Sequence, residues 1–321
     1  MTILITGATG FIGSHLSEKL LKKKEKIRIL ARKTSRIDWL KKQGVEICYG
    51  SLEDINSLTK ATKNIKIVYH LAAMLGSPEI TYKKLYEVNV KGTENLVKAC
   101  EKNKVKRFIL ISSVAAIGPA KHMADETTKC NPVTDYDKTK YLAELAVKKS
   151  DLDWTIIRPT MVYGPREIRN KAKMFRLVQK KVFVIIGNGK NLMSLVYVDN
   201  LIKGIILAGE SIRAAKHTYI LSDKHPYTMN EFIKTIATHE NVRMPLHIPV
   251  WFAYLGTFCF RLLRFTGVPQ LLSVDRIKNM TMNHSFSISK AIKELNYNPK
   301  INLDEGVKRT VQWYKEKGIL K

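Results

Sequence analysis

The strongest structural signal in the chain is Thr6-Gly7-Ala8-Thr9-Gly10-Phe11-Ile12-Gly13, where three glycines stand at three-residue spacing. A β-branched run precedes it and a helical pattern follows it, which is the context that makes such a pattern specific. Without Cβ atoms the chain can turn tightly and bring backbone amides close to a pyrophosphate. The helix N-terminus adds unsatisfied N–H donors and a partial positive charge. The stretch therefore predicts a dinucleotide-binding turn.

Around this turn, the first half of the chain alternates short apolar runs with helical patterns. We predict strands at Thr2–Thr6, Lys26–Ala31, Val45–Tyr49, Ile65–His70, Arg107–Ser112 and Trp154–Arg158. We predict helices at Phe11–Lys23, Glu53–Thr62, Tyr82–Asn103 and Tyr136–Ser150. Nearly continuous apolar runs are typical of strands buried on both faces of a parallel sheet. The alternation predicts an α/β fold with a Rossmann-type doubly wound parallel sheet.

The pattern changes after Pro165, where helices dominate. Short strands are predicted near Val182–Ile186, Leu195–Val198 and Thr218–Leu221. We therefore expect a nucleotide-binding domain over residues 1–165, with returns to it near residues 192–222. A smaller, mostly helical substrate-binding domain is expected over residues 166–191 and 223–321.

One segment of this second half is unusual. Residues Met244–Phe260 include no charged side chain, are rich in aromatic residues, and are followed by Arg261 and Arg264. The stretch is marginally short for a bilayer span. Two interpretations stay open: a buried helix that covers the substrate pocket, or an interfacial segment over residues 244–264 with its arginines at lipid headgroups.

The composition limits the partners and the compartment. The 321 residues carry a formal net charge of +27, which fits either a lysine-rich solvated surface or attraction to anionic partners. No recognition helix, zinc spacing or aromatic stacking motif accompanies the charge, so no nucleic-acid partner is expected. The cysteines Cys48, Cys100, Cys130 and Cys259 form no Cys-x-x-Cys pair, which indicates a reducing cytoplasm and no metal site. The strand starting at Thr2 leaves no room for a signal peptide.

The end of the second strand indicates which cofactor is used. A carboxylate there accepts hydrogen bonds from the ribose 2′-hydroxyl of NAD, whereas an arginine pairs with the 2′-phosphate of NADP. The strand runs Ile29-Leu30-Ala31-Arg32-Lys33, with Arg36 close behind and no carboxylate. Arg32 favours NADP over NAD, because a guanidinium binds phosphate in a bidentate manner. The alternative is that Arg32 stacks on adenine and discriminates little.

Two residues on one predicted helix fit acid–base chemistry. Tyr136 and Lys140 stand at i and i+4, so they face the same way. A neighbouring ammonium and an oxidised nicotinamide favour the phenolate of Tyr136, so its hydroxyl can exchange a proton near neutrality. Ser112 and Ser113 end the fifth strand, at the sheet edge where ligands meet an open α/β sheet.

These motifs together resemble the extended branch of the short-chain dehydrogenase/reductase family. The matching stretches are Gly-Ala-Thr-Gly-Phe-Ile-Gly, Tyr136-Asp137-Lys138-Thr139-Lys140, His70-Leu71-Ala72-Ala73, Asn89-Val90-Lys91-Gly92-Thr93 and Arg158-Pro159-Thr160-Met161-Val162-Tyr163-Gly164-Pro165. The resemblance implies four catalytic residues, namely Ser113, Tyr136, Lys140 and Asn89. It implies cofactor contacts from Gly7, Thr9, Gly10, Phe11, Ile12, Gly13, Arg32, Ser51, Leu52, Leu71, Ala72, Ala73, Tyr136, Lys140, Pro159 and Val162.

One position departs from the family pattern. After the third strand the family usually has Gly-Asp-Leu, whose aspartate reaches the adenine, and this chain has Gly50-Ser51-Leu52. A serine hydroxyl still hydrogen-bonds, but less strongly, so the departure bears on adenine affinity.

The resemblance also narrows the reaction. Nucleotide-sugar enzymes of the family commonly place an arginine before the Val-x-Asp segment, and Asn191-Leu192-Met193-Ser194-Leu195-Val196 lacks it. The chain looks closer to the 3-beta-hydroxysteroid dehydrogenase and dihydroflavonol-reductase-like branch. We expect an NAD(P)-dependent oxidoreductase that transfers a hydride at a carbinol or carbonyl carbon of an apolar or lipid-like substrate. The alternatives are a nucleotide-sugar epimerase or dehydratase with bound NAD, its diphosphate held by Arg166, Arg169 or Lys190, and a catalytically silent NAD(P)-binding subunit. The resemblance implies a homodimer.

Overall fold

The computed structural model describes residues 2–77, 79–119, 123–262 and 274–321. Seven parallel strands form its main sheet: β1 (Thr2–Thr6), β2 (Lys26–Ala31), β3 (Glu46–Tyr49), β4 (Ile67–His70), β5 (Arg107–Ile111), β6 (Trp154–Pro159) and β11 (His217–Leu221). Their order is β11-β6-β5-β4-β1-β2-β3. The order reverses direction between β1 and β4, which is the switch point of a doubly wound sheet. The predicted Rossmann-type fold is therefore confirmed.

The remaining strands form three small pairs. They are β7 (Met161–Tyr163) with β10 (Leu195–Tyr197), β9 (Leu192–Met193) with β12 (Tyr227–Thr228), and β8 (Val184–Ile186) with β13 (Leu246–Ile248). The β9–β12 pair is antiparallel and the other two are parallel.

Helices cover the sheet and build the second half of the chain. They are α1 (Phe11–Lys22), α2 (Asp38–Lys42), α3 (Ile55–Thr62), α4 (Tyr82–Tyr86), α5 (Gly92–Lys102), α6 (Asp135–Lys148), α7 (Asn170–Gln179), α8 (Val198–Glu210), α9 (Met229–His239), α10 (Val250–Leu262), α11 (Val274–Thr281), α12 (Ser289–Leu295) and α13 (Leu303–Glu316). No helix within the described ranges is long and apolar enough to cross a membrane.

Both faces of the sheet are buried, as the apolar runs predicted. In β1, Ile3 and Ile5 pack into one hydrophobic cluster and Leu4 packs into a second, and none of the three is more than 2% exposed. Side chains alternate across a strand, so the two clusters lie on opposite faces of the sheet. This packing fixes the strand ends that carry the candidate site.

Two regions differ from the sequence prediction. The stretch Tyr82–Asn103 was predicted as one helix. It is helical, but a π-helical segment, Glu87–Lys91, separates α4 from α5. Single π turns inside α-helices often accompany functional sites. The segment Met244–Phe260 is not buried throughout, because Trp251 and Phe252 of α10 are 66% and 52% exposed whereas Ala253 is 2% exposed. That it covers the substrate pocket stays a prediction. Arg264 lies outside the described residues.

Candidate functional site

The glycine turn between β1 and α1 has the backbone geometry that a pyrophosphate needs. Gly7 has φ +74°, and a Cβ there would lie 2.7 Å from the amide nitrogen of Ala72. A Cβ on Gly13 would lie 2.1 Å from the Gly7 carbonyl oxygen, so only glycine lets α1 start this close to the turn. Gly10 is the N-cap of α1 without any side-chain hydrogen bond, and the first turn carries no acidic residue. The amides of Phe11 and Ile12 are therefore free to bind an anion.

A cavity of about 740 Å³ opens beside this turn. Its wall includes Thr9, Gly10, Phe11, Ser14, Glu18, Leu21, Lys22, Arg36, Trp39, Gln43 and Arg166. The predicted cofactor residues Thr9, Gly10 and Phe11 thus share one cavity with Arg36, which sequence reasoning noted only as a neighbour. Arg166 is held in place, because its guanidinium donates to Ser14 Oγ at 3.3 Å and to Glu18 Oε2 at 2.6 Å.

The edge formed by β2 and β3 presents two guanidinium groups. Arg32 follows the last residue of β2, and both Arg32 and Arg36 are exposed. Neither side chain forms an ion pair with any residue that the structure describes. The backbone amide of Ser51 donates to Ser57 Oγ at 3.3 Å, and Leu52 is buried against Gly92. The positive edge is therefore available to an anionic group.

A chain of hydrogen bonds ties the end of β4 to the glycine turn. The Ala72 amide donates to Thr6 Oγ1 at 3.2 Å, and Thr6 Oγ1 lies 2.7 Å from His70 Nδ1. His70 Nε2 lies 2.9 Å from Thr93 Oγ1, which donates to the Asn89 carbonyl at 2.6 Å. Since the only Thr93 hydroxyl hydrogen is used, His70 must donate from Nε2 and accept the Thr6 hydroxyl at Nδ1. Burial, with a smaller effect of the Lys140 charge, lowers the pKa of His70 to about 3, so the imidazole stays neutral.

These hydrogen bonds position the small residues that were predicted to follow β4. Leu71 and Ala72 are partly buried and Ala73 is exposed. The Leu71 amide donates to the Thr6 carbonyl at 3.2 Å, so the backbone of this loop lies directly beside the glycine turn. The contacts of Thr6, His70 and Thr93 were missed from the sequence, because they join residues 23 and 64 positions apart.

Asn89 connects the same loop to α6. Its Oδ1 accepts the Met74 amide at 2.7 Å, and its Nδ2 donates to the Met74 carbonyl at 3.0 Å and to Thr139 Oγ1 at 3.1 Å. Thr139 Oγ1 in turn donates to the Tyr136 carbonyl at 2.8 Å. Asn89, which lies in the π-helical segment, therefore fixes the helix turn that carries Tyr136.

The structure brings Lys140 and Ser113 to the same sheet edge. Lys140 is 4% exposed and its Nζ donates to the carbonyl of Ile111, the last residue of β5, at 2.8 Å. Ser113 follows two residues later, and its Oγ accepts the Ala115 amide at 3.1 Å. Within the described residues the Ser113 hydroxyl hydrogen has no acceptor. The neighbouring Ser112 Oγ is buried without a hydrogen-bond partner.

Tyr136 is one turn before Lys140 on α6, whose start is fixed by a capping box from Thr134 and Asp137. A Cβ placed on Gly76 would lie 3.2 Å from the Cβ of Tyr136, so the loop after β4 packs against Tyr136. Burial, with a smaller effect of the Asp137 charge, raises the pKa of Tyr136 to about 12. Burial lowers the pKa of Lys140 to about 8, against the opposing effect of Glu144. The expected phenolate required an oxidised nicotinamide as well as the Lys140 ammonium, so it stays a prediction for the cofactor-bound enzyme.

A buried ion pair holds α6 against β6. The Arg158 guanidinium donates to Glu144 Oε1 at 2.9 Å and to Oε2 at 2.6 Å, and the two side chains are 2% and 0% exposed. Pro159 ends β6 and is buried, and Val162 lies in the middle of β7 opposite Val196. Met193, before the Val-x-Asp segment, is 4% exposed.

The comparisons with known proteins agree with this geometry. The model of the NAD dependent epimerase/dehydratase family matches residues 3–222. The chain is 30% identical to the N-acetyl-alpha-D-glucosaminyl-diphospho-ditrans,octacis-undecaprenol 4-epimerase of Escherichia coli O157:H7, over 97% of this chain and 94% of that one. It is 32% identical to the UDP-glucose 4-epimerase of Vibrio cholerae, with the same two coverages of 97% and 94%. It is 29% identical to the decarboxylating sterol-4-alpha-carboxylate 3-dehydrogenase of Mus musculus, over 96% and 89%.

Proposed function

Because this chain belongs to the NAD-dependent epimerase/dehydratase family and is an enzyme of the extended short-chain dehydrogenase/reductase type, we propose that it is an NADP-linked reductase or dehydrogenase. Its substrate is an apolar or lipid-like alcohol or ketone. One observation carries the proposal: Lys140 Nζ donates to the carbonyl of Ile111, the last residue of β5, at 2.8 Å. Ser113 follows Ile111 by two residues, and Tyr136 is one turn before Lys140 on α6.

Each polar side chain has a distinct task in the proposed reaction. The nicotinamide, when bound, supplies or accepts the hydride. Ser113 donates its free hydroxyl hydrogen to the substrate oxygen. Tyr136 gives a proton to that oxygen during reduction, or takes it during oxidation. Lys140 holds the ribose and stabilises the ionised tyrosine, and Asn89 positions the turn of α6. Because the protein alone raises the pKa of Tyr136, the phenolate becomes accessible only with positive charge added at the site.

The proposed cofactor contacts follow the described edge. Gly7, Gly10 and Gly13 with the amides of Phe11 and Ile12 hold the pyrophosphate. Thr9, Arg32, Ser51 and Leu52 surround the adenosine, and Leu71, Ala72 and Ala73 lie along the backbone. Tyr136, Lys140, Pro159 and Val162 border the nicotinamide. Support for NADP over NAD comes from the exposed, unpaired guanidinium of Arg32 and the absence of a carboxylate after β2.

The substrate class has two supports. Residues 187–196, before the Val-x-Asp segment, contain no arginine, so this stretch offers no guanidinium to a diphosphate. The sterol dehydrogenase of mouse and the undecaprenol-linked epimerase of Escherichia coli are both named for lipid-like or lipid-linked substrates. These favour the branch that resembles 3-beta-hydroxysteroid dehydrogenase.

The second candidate is a sugar-diphosphate epimerase or dehydratase with tightly bound NAD. It is favoured by the two 4-epimerases, whose names give a lipid diphosphate sugar and a UDP-sugar. In this case Arg169 or Lys190, both exposed, takes the diphosphate. Arg166 is less suitable, because Glu18 already neutralises it. The catalytically silent subunit is the least favoured alternative, because Ser113, Tyr136 and Lys140 are all present.

The proposal includes the organisation of the chain. Residues 1–165, with returns near 192–222, bind the cofactor, and residues 166–191 and 223–321 bind the substrate. We also propose a homodimer, a cytoplasmic location, and a peripheral contact with a membrane surface through residues 244–264.

A titration of the purified protein with NADPH and NADH tests the proposal. Binding is followed by nicotinamide fluorescence, before and after a UDP-hexose is added. We expect NADPH to bind more tightly than NADH, with no response to the sugar, and Arg32→Ala to remove the preference. Tight NAD(H) with a response to the sugar would favour the epimerase instead. Binding of neither cofactor would contradict both.

A further inference from the structure

An exposed apolar surface lies on the second half of the chain. It comprises seven side chains on or next to β8, β13 and α10, and we call it the outer face: Val182, Val184, Met244, Leu246, Trp251, Phe252 and Leu255. Their exposed fractions range from 37% for Met244 to 77% for Leu246. Several large apolar side chains exposed on neighbouring elements indicate an interaction site.

The pairing of β8 with β13 brings its parts together. Leu246 pairs with Val184 across the two strands, and α10 begins two residues after β13. On α10, Trp251, Phe252 and Leu255 point outward, with the rings of Trp251 and Phe252 in edge contact at 5.7 Å.

The opposite side of α10 is packed against the rest of the protein. Ala253 is buried against Ile186 and Ile277, and Thr257 is 8% exposed. A helix whose two sides are both apolar is normally covered on both, and here only one side is covered by described residues. Among the described residues nothing covers Trp251, Phe252 and Leu255, so this side of α10 is open to a partner.

The charges around the outer face identify that partner. Residues 168–198 and 241–274 contain no aspartate or glutamate. Lys180 and Lys181 directly precede Val182, Lys190 follows β8, and Arg243 directly precedes Met244. All four are exposed, and none forms an ion pair with a residue that the structure describes.

We propose that the outer face docks on an anionic lipid bilayer, with Trp251, Phe252 and Leu255 at the headgroup–acyl boundary and the four cations on lipid phosphates. Tryptophan is the residue that most favours this boundary. A second copy of the chain is a poorer occupant, because the charged residues next to the outer face in sequence are all cations, and two such faces repel each other. The inference rests on the membrane contact proposed above. It adds the side chains of β8 and the four cations to the contact surface, and it specifies that the lipid is anionic. Docking places the enzyme where a lipid-like substrate resides.

Cosedimentation of the full chain with lipid vesicles tests the docking. We expect binding to phosphatidylcholine vesicles that contain phosphatidylglycerol, weaker binding without the anionic lipid, and a decrease as salt is added. The double variant Trp251→Ser/Phe252→Ser should bind roughly tenfold more weakly or worse. Lys180→Glu/Lys181→Glu should lose the preference for anionic vesicles. Ile212→Ser is the matched control, because Ile212 is 89% exposed but lies outside the outer face.

Failure of the docking and failure of the redox proposal are separable. All these variants should bind NADPH as the wild type does, which also verifies that they are folded. Wild-type protein that ignores anionic vesicles would overturn the docking, as would a double variant that binds them unchanged. A concentration-dependent dimer that disappears in the double variant would overturn it too, since the face would then join two copies.

Discussion

The sheet edge that carries the candidate site differs from the outer face in the kind of group that each buries or exposes. We call the first region the cofactor edge, meaning the carboxyl ends of β1, β2, β4, β5 and β6 with the starts of α1 and α6. There, polar groups are buried and many have hydrogen-bond partners, as in the pairs Thr6–His70 and Arg158–Glu144. Ser112 Oγ and Arg158 Nη1 have none among the described residues. On the outer face, apolar groups are exposed, and the neighbouring cations form no ion pair with the residues that the structure describes.

The difference follows from the proposed roles of the two regions, which are hydride transfer at the cofactor edge and contact with a lipid surface at the outer face. A hydride transfer needs the reacting groups in one geometry, and buried hydrogen-bonded networks supply that rigidity at the risk of large penalties when a partner is lost. Contact with a fluid surface needs apolar area and positive charge but little geometry. Substitutions at the cofactor edge should therefore have large and specific effects, whereas matched substitutions on or near the outer face should not affect chemistry.

The largest effect is expected from a matched pair of tyrosines. Tyr136→Phe removes the proposed proton donor, and we expect turnover of an accepted ketone to fall roughly 10²–10⁴-fold while NADPH still binds. Tyr254→Phe on α10, which is also partly buried, should leave turnover unchanged. The comparison is made by steady-state kinetics with NADPH over a panel of apolar ketones. Equal turnover of both variants would remove Tyr136 from the chemistry.

The next effect concerns the buried ion pair. Glu144→Gln leaves the Arg158 guanidinium, 2% exposed, without its counter-charge, so the free energy of unfolding should fall by about 3–5 kcal/mol. Glu305→Gln breaks an ion pair of the same 2.6 Å length with Arg309, but on an exposed surface, and should cost about 1 kcal/mol or less. Urea unfolding monitored by circular dichroism measures both.

A double variant separates the lost charge from lost packing. Arg158→Met in the Glu144→Gln background removes the uncompensated cation, so it should restore part of the lost stability. If Glu144→Gln costs no more than Glu305→Gln, the buried pair does not hold α6 in place.

The cofactor edge could be predicted from the sequence because its signals are local. The bounds of β1 and β2 match the prediction, and the glycine turn, Tyr136, Lys140 and Ser113 all lie at the predicted strand and helix ends. Each of these signals spans fewer than about fifteen residues, and the parallel sheet then brings the strand ends together.

The features that were missed depend on distant contacts. The partners of His70 and Asn89 could not be predicted from the sequence. The π-helical segment that carries Asn89 interrupts an otherwise ordinary helical pattern. The outer face forms only because β8 pairs with β13, about sixty residues later. Composition indicated an apolar segment there, but it could not decide between a buried helix and an exposed one.

The pH dependence of stability tests the buried charge of Lys140. The folded protein holds Lys140 at a pKa of about 8, below its ordinary 10.5, so the unfolded chain binds more protons between these values. The contribution of this group to stability therefore rises with pH from about 8 to 10.5, and below pH 8 its buried ammonium is destabilising. At pH 7 and without cofactor, Lys140→Met should raise the free energy of unfolding by about 1–3 kcal/mol.

The control for this pH effect is Lys190→Met, which removes an exposed lysine beside the outer face and should change stability little at any pH. The gain from Lys140→Met should shrink as the pH rises from 8 to 10.5, although the variant should lose turnover throughout. A gain that is equal at pH 7 and pH 10 would mean that better packing, and not the removed charge, stabilises the variant.

The smallest effect contrasts two helical glycines. A Cβ on Gly13 would lie 2.1 Å from the Gly7 carbonyl oxygen. The clash involves the backbone of both residues, which cannot easily move apart. Overpacking of this kind costs about 1–3 kcal/mol, so Gly13→Ala should weaken NADPH binding roughly 10–100-fold. Gly256 of α10 has no heavy atom within 4 Å of an added Cβ. Gly256→Ala should leave the affinity unchanged and stabilise the protein by about 0.5–1 kcal/mol, because alanine favours a helix. Fluorescence titration and urea unfolding of both variants would separate the two roles, and equal NADPH affinities would mean that α1 can shift away from the turn without disturbing the phosphate site.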